Sequence, residues 1–329
     1  MSSSQLPLVL ITHSLPESWL SSLQGKCRTI VGPVDATKMD SKLIDHLPQA
    51  EGLFTLLTIT INESILHRTP NLKVVSNMAV GVDNIDIPAC TRRGIPVGNT
   101  PGVLTEGTAD LTMAILLATA RRLIEASKDA RQGRWNTWSP TGWLGSDLNG
   151  KTLGIIGLGK IGSAVAQRAH AFGMKIIYTD PNTDPILEKK LNASRVSLDD
   201  LLQSSDFVSL HIPLTPKTRG LIDKPALRKM KSNAILINAS RGAVVVTDDL
   251  HRALSEGWIK AAALDVTDPE PLPPDHPLYA LDNCLIVPHI GSATQNTRRR
   301  MAELACDNLL AGLDGRPLPN CVNPDVYAQ

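Results

Sequence analysis

Three side chains of complementary chemistry each follow an apolar run in the second half of the chain. Arg241 follows AILINAS, Glu270 follows AAALDVTDP, and His289 follows CLIVP. Arg presents a planar fork that holds a carboxylate bidentately while polarising the carbonyl beside it, which Lys does less well. His gives a proton to a carbonyl oxygen at neutral pH. Glu bonded to the other ring nitrogen sets the tautomer and favours the protonated ring. The set suits reduction of a 2-keto acid, provided a hydride donor lies alongside. Singly, each residue has a structural explanation: Arg241 as a turn-stabilising donor, Glu270 between Pro269 and Pro271 as a solvated loop carboxylate, His289 as one of eight histidines. Their arrival at successive strand ends selects the chemical reading, because ligands of open α/β sheets sit beyond those ends.

The hydride donor is signalled by LGIIGLGKIG at residues 153–162. Leu153, Ile155 and Ile156 read as a buried strand, and Gly157, Gly159 and Gly162 form a G-x-G-x-x-G turn. Ile161, Val165 and Phe172 then recur at helical spacing until Gly173. The first glycine allows the tight turn, the second lets backbone N–H groups approach a pyrophosphate, and the third lets helix pack on strand. A second strand, KIIYTD, ends in Asp180, 18 residues past Gly162. That lies close to the roughly 20 expected for a ribose hydroxyl acceptor.

Composition narrows the class. The 329 residues exceed what a single core usually serves, and a net charge of +1 gives no general footprint for nucleic acid or an acidic membrane. Arg298, Arg299 and Arg300 fall in a helical pattern as a solvated face. Cys27, Cys90, Cys284, Cys306 and Cys321 are scattered without metal-ligand spacing, which predicts reduced, mostly buried thiols and no metal site. The start MSSSQLPLVLITH has no basic n-region and only a short apolar run, so a soluble, cytoplasmic protein is expected.

Elements that position these residues follow from the alternation of apolar runs. LVLIT, CRTIV, GLFTLL, LKVVSNMAV and IPVGN alternate with polar or helical stretches, a βα pattern that predicts a parallel sheet. Residues 106–124 read as one long apolar helix, too short in its uncharged core to span a membrane. After the glycine motif, FVSLHI, AILINAS, AAALDV and CLIVPHI read as the third to sixth strands of a doubly wound sheet. A helical pattern covers 293–313, and the tail has no clear period. The expected fold class is α/β with two doubly wound parallel-sheet domains.

MAVGVDNIDI, GLGKIG, INASRG, LDVTDPEP and PHIGSAT, in that order, resemble the D-isomer-specific 2-hydroxyacid dehydrogenases, and within them the glyoxylate and hydroxypyruvate reductases. The resemblance implies a flavodoxin-like substrate domain from residues 1–103 and 293–329, with a Rossmann dinucleotide domain at 104–292 inserted into it. It implies a homodimer that reduces a small 2-keto acid to the D-2-hydroxy acid through Arg241, Glu270 and His289. Substrate contacts are implied for Leu57, Val80, Gly81, Arg241 and Ser292. Cofactor contacts are implied for Thr108, Gly157, Gly159, Lys160, Ile161, Gly162, Asp180, Pro213, Thr218, Ala239, Ser240, Asp265 and Gly291. Trp138 matches the family's residue that reaches the partner subunit's site, and three of the five Trp lie between 135 and 143, a density suited to an interface.

Two departures refine the expectation. Many such reductases carry a small residue or Ser followed by Arg where this chain has Asp180 and Pro181, so NAD is favoured, with NADP tolerated through Asn182 and Thr183. Phosphite dehydrogenases place a lysine where Val80 stands. The C-terminal-binding-protein corepressors also resemble this family, so a dinucleotide-sensing dimeric scaffold is the alternative. Such a scaffold normally adds a peptide-docking surface and a disordered tail, which these residues do not show.

Overall fold

The computed structural model describes residues 6–328. The chain divides into two compact units, Met1–Leu104 with Thr294–Gln329 and Thr105–Ala293. No helix among the described residues is long and apolar enough to cross a membrane.

The first unit is built on β1 (Leu8–Ile11), β2 (Arg28–Val31), β3 (Gly52–Thr55), β4 (Val74–Asn77) and β5 (Val97–Gly98). All pair in parallel in the order β2-β1-β3-β4-β5, the flavodoxin-like arrangement. β1, β3 and β4 are buried at every position, which is why they read as continuous apolar runs rather than alternating ones. Leu10, Leu53 and Val75 pack with Leu43, Leu47, Ile61 and Leu66 on one face. The helix Gln295–Leu313, capped by the Thr294 side chain accepting from the Thr297 N–H, covers the sheet from the other side. There the Ser76 hydroxyl donates to the Ala305 carbonyl at 2.7 Å.

The second unit carries β6 (Thr152–Ile156), β7 (Lys175–Thr179), β8 (Ser194–Arg195), β9 (Phe207–Leu210), β10 (Ile235–Asn238), β11 (Ala261–Leu264) and β12 (Cys284–Ile286). Their order is β12-β11-β10-β9-β6-β7-β8, all parallel. The order reverses between β6 and β9, which makes that crevice the place for a dinucleotide. Apolar clusters fill both faces. One joins Ala109, Met113 and Leu116 to Leu153, Ile155 and Val165, and the other joins Leu201, Leu227 and Leu250 to Val208, Leu236 and Ala262.

Three local expectations are corrected. The helix read over 106–124 is two helices, Thr105–Ala120 and Leu123–Arg131, with Arg122 left-handed between them at φ 53°. The returning segment causes the break: the Ser146 N–H takes the Ala120 carbonyl at 2.7 Å, ending the first helix from outside. Phe172 lies just past the helix Lys160–Ala171 and is exposed, so it is not part of the buried face. The sheet also gains β8, a two-residue edge strand too short to leave a pattern.

Candidate active site

Gly157 ends β6 at φ +95°, and a side chain there would meet the His211 carbonyl and Ile212. A side chain on Gly162 would collide with the Gly157 carbonyl, so helix and strand sit as close as backbones allow. Gly159 faces open space instead. It is the N-cap of the helix Lys160–Ala171 and has no side-chain cap bond, so the first N–H groups at Lys160 and Ile161 are available to an anion. Asp180 follows β7. Its Oδ2 accepts from the Leu158 N–H at 2.8 Å and its Oδ1 from the Asn182 N–H at 2.8 Å. The carboxylate therefore braces the glycine turn, and each oxygen keeps a lone pair for a further donor. Open Gly159, uncapped helix and braced acid together fit a dinucleotide.

Farther along the same sheet edge, Asn238, Leu264 and Ile286 stand abreast in β10, β11 and β12. Arg241 and His289 each come three residues after that line, and Glu270 six. Arg241 has an extended backbone, and its Nη1 donates to the Ser240 carbonyl at 2.8 Å. Gly242 packs against the Thr267 carbonyl so closely that a side chain would collide with it, which joins the Arg241 loop to the segment leading to Glu270. His289 Nδ1 lies 2.5 Å from Glu270 Oε1, and the second carboxylate oxygen accepts from the Thr267 N–H at 3.4 Å. Nδ1 is engaged by the carboxylate, which leaves Nε2 as the other ring nitrogen.

His289 is held in a left-handed conformation, φ 51°. Such backbone in a non-glycine residue persists only where its surroundings enforce it. Here Asp265 does so. Its carbonyl accepts from the His289 N–H at 2.9 Å, while its buried carboxylate accepts from Ile290 N–H at 2.6 Å and Gly291 N–H at 2.9 Å. Burial pushes the Asp265 carboxyl up, opposed by those N–H donors and by His289. Thr108 joins them, since a side chain built on Gly291 would stand 3.0 Å from Asp265 Oδ2 and 3.3 Å from Thr108 Cγ2. Pro213 and Thr218 share a tight turn, the Thr218 hydroxyl donating to the Pro213 carbonyl at 2.6 Å. Ala239 and Ser240 lie half-buried in the Arg241 turn, and Ser292 is half-buried just after Gly291.

Leu57, Val80 and Gly81 belong to the first unit, beyond the carboxyl ends of its β3 and β4. The Val80 carbonyl accepts from Asn99 Nδ2 at 2.8 Å and the Gly81 carbonyl from Asn77 Nδ2 at 2.8 Å. Both carbonyls of the loop are thereby tied back by asparagine side chains. Asn84 Nδ2 in turn bonds the Leu56 and Ile59 carbonyls on either side of Leu57. Trp138 is 80% exposed, as is much of Trp135, whereas Trp143 is anchored by its indole N–H to Asp129 at 2.8 Å. Sequence reasoning misses Asn77, Asn84, Asn99 and Asn238, because asparagine at a strand end reads as an ordinary turn former. Cys27, Cys90, Cys284, Cys306 and Cys321 are all free thiols. Burial pushes Cys90 up to about 11 and Cys284 and Cys306 up to about 12, which keeps these three protonated and unreactive.

A nucleotide crevice beside an Arg, Glu and His set defines a dehydrogenase of the doubly wound class. The model of the D-isomer specific 2-hydroxyacid dehydrogenase NAD-binding domain matches residues 113–291. A glyoxylate reductase of Korarchaeum cryptofilum is 46% identical over 321 residues, 97% of each chain. A solved protein of Thermus thermophilus superposes with a TM-score of 0.89 at 48% identity, covering 96% of this chain and 99% of that one. An NADPH-dependent glyoxylate/hydroxypyruvate reductase of Sinorhizobium meliloti, solved with NADP and malonate, gives 0.83 at 31% identity over 96% of each chain. The chain belongs to the D-isomer specific 2-hydroxyacid dehydrogenase family.

The glycine turn also has a pH-sensitive neighbour. The His211 ring reaches the buried Ser209 hydroxyl through Nε2 at 2.8 Å, and burial pushes its pKa down to about 4. In the unfolded chain the ring titrates near ~6.5. The contribution of His211 is therefore complete above about pH 6.5 and is lost as pH falls toward 4, where only the unfolded chain takes the proton. The wild type should lose more melting temperature between about pH 7 and about pH 4 than His211→Gln, measured by thermal denaturation. Parallel losses in both proteins would show that His211 does not titrate this way.

Proposed function

We propose that this enzyme reduces small 2-keto acids, glyoxylate and hydroxypyruvate foremost, with NADH as the preferred donor, giving glycolate and D-glycerate. The observation that carries the proposal is the 2.5 Å pairing of His289 with Glu270 at the strand edge that also delivers Arg241. Held at the glycine turn by the Lys160 and Ile161 N–H groups and Asp180, a reduced nicotinamide dinucleotide would be the source of hydride for the carbonyl carbon. Arg241 holds the substrate carboxylate and polarises the carbonyl beside it. His289 gives the Nε2 proton to the carbonyl oxygen while Glu270 accepts from Nδ1–H and stabilises the charged ring. In the oxidative direction the same nitrogen takes the hydroxyl proton. The Met1–Leu104 and Thr294–Gln329 unit then serves the substrate, and the Thr105–Ala293 unit the dinucleotide. A peptide-docking scaffold has no observation in its favour here.

Arg241→Lys should lower kcat/KM for glyoxylate by roughly a hundredfold, about 2.7 kcal/mol, because an ammonium replaces a bidentate fork. His289→Ala should lose most turnover yet bind NADH as the wild type does. Steady-state kinetics over a panel of 2-keto acids, with NADH binding followed by fluorescence, checks both. Near wild-type rates in Arg241→Lys would remove its role, and lost NADH binding in His289→Ala would make that residue structural.

Cofactor choice rests on Asp180, whose oxygens face the adenosine ribose in this reading. A 2′-phosphate there would meet a like charge, while the guanidinium of Arg195, 3.3 Å from the Pro181 carbonyl, supplies some compensation. NADH should be favoured over NADPH by roughly a hundredfold in kcat/KM. Asp180→Ser with Pro181→Arg should reverse the order, and an unmutated enzyme that prefers NADPH would contradict the assignment of Asp180.

The same reading makes the active form a homodimer. Leu123, Ile124, Trp135, Trp138 and Leu144 are exposed large apolar side chains within one short stretch, and a second copy of this chain would cover them. Light scattering should give twice the 35.4 kDa chain mass. Trp138→Ala should cost roughly tenfold in kcat/KM if its indole completes the partner's site. A monomer that is fully active would exclude this arrangement.

A further inference from the structure

We propose that Asn238 is a positioning residue for substrate binding, acting through Arg241; this rests on the reading of Arg241 as the carboxylate anchor. Asn238 is the last residue of β10 and is only 1% exposed. A buried amide is stable only if its donors and acceptor are matched. Here both the amide oxygen and the amide nitrogen are engaged by the turn that carries the arginine. Asn238 Oδ1 accepts from the Ser240 N–H at 3.0 Å and the Ser240 hydroxyl at 2.9 Å, and Nδ2 donates to the Arg241 carbonyl at 2.9 Å. The side chain thus bridges two successive residues of the loop and sets where the Arg241 backbone leaves the sheet. Its own carbonyl accepts from the Asp265 N–H at 2.8 Å, and Asp265 is the residue that holds His289 left-handed. That bond is main-chain and independent of the side chain, so the amide's own work is confined to the Ser240–Arg241 turn.

Asparagine is the residue type this place requires. Aspartate would set an oxygen against the Arg241 carbonyl, and serine or threonine is too short to hold both bonds. Gly242, immediately after the arginine, lies so close to the Thr267 carbonyl that no side chain fits there. Loss of the amide removes the bonds that fix Ser240 and the Arg241 carbonyl, and so loosens the backbone from which the guanidinium extends.

A double-mutant cycle on the full-length enzyme separates positioning from simple structural support. Asn238→Ala is expected to lower kcat/KM for glyoxylate by roughly tenfold or more, mostly through KM. In an Arg241→Ala background, the same substitution should change kcat/KM by less than about twofold, because no guanidinium is left to misplace. Should Asn238→Ala not yield folded protein, Asn238→Thr retains a hydroxyl and a strand-compatible shape, and the same cycle applies. Equal losses in both backgrounds, or no loss with Arg241 present, would overturn the positioning role while leaving Arg241 as the anchor. Wild-type activity in Arg241→Ala would instead remove the anchor and this proposal with it.

Discussion

Asn238, Leu264 and Ile286 lie abreast in three hydrogen-bonded parallel strands, and the groups we propose to act all issue from just beyond that line. Parallel pairing makes this possible, because every strand of the sheet ends at the same edge. Arg241, Glu270 and His289 are distant in sequence, yet each needs only a short loop to stand at that edge. The glycine turn belongs to the same edge, since Ile156 pairs with Leu210 and Leu210 with Asn238. Slipping β10 by one residue would turn its side chains to the opposite face and carry Arg241 away from its neighbours. Core packing on both faces opposes such a slip, so the hydrophobic clusters do their chemical service by holding register.

Within that frame the site depends on buried polar groups that brace backbone. Asp265 carries a buried carboxyl, whose desolvation is offset in part by two N–H donors. What it secures is the left-handed turn at His289, a conformation that costs about 1–3 kcal/mol for such a residue. Asp180 works similarly at the other end of the crevice, holding Leu158 in the glycine turn. In the first unit, Asn77 and Asn99 direct the Val80–Gly81 loop by its carbonyls. In each of these three loops, backbone shape is imposed by a side chain behind it.

Much of this is legible in the sequence. The roles of Gly157, Gly159 and Gly162 follow from backbone clearances, which spacing reports directly, and the strands are visible because parallel strands buried on both faces leave unbroken apolar runs. Arg241, Glu270 and His289 stand out because each follows such a run. What escapes is tertiary in origin. Nothing local at Ala120 announces that Ser146 will return to take its carbonyl. Two residues of edge strand at β8 carry no periodicity. The bracing asparagines are indistinguishable from turn formers until their partners are known.

If the strand-edge set performs hydride and proton transfer on a bound 2-keto acid, one turnover suffices to see it. Single-turnover mixing of excess enzyme with NADH and glyoxylate, followed by nicotinamide absorbance and product analysis, is the most direct test. Complete oxidation of the bound NADH is expected, with one glycolate formed per NADH consumed. Binding of NADH without oxidation, over glyoxylate and the other small 2-keto acids alike, would contradict this chemistry and return the chain to a dinucleotide-sensing role.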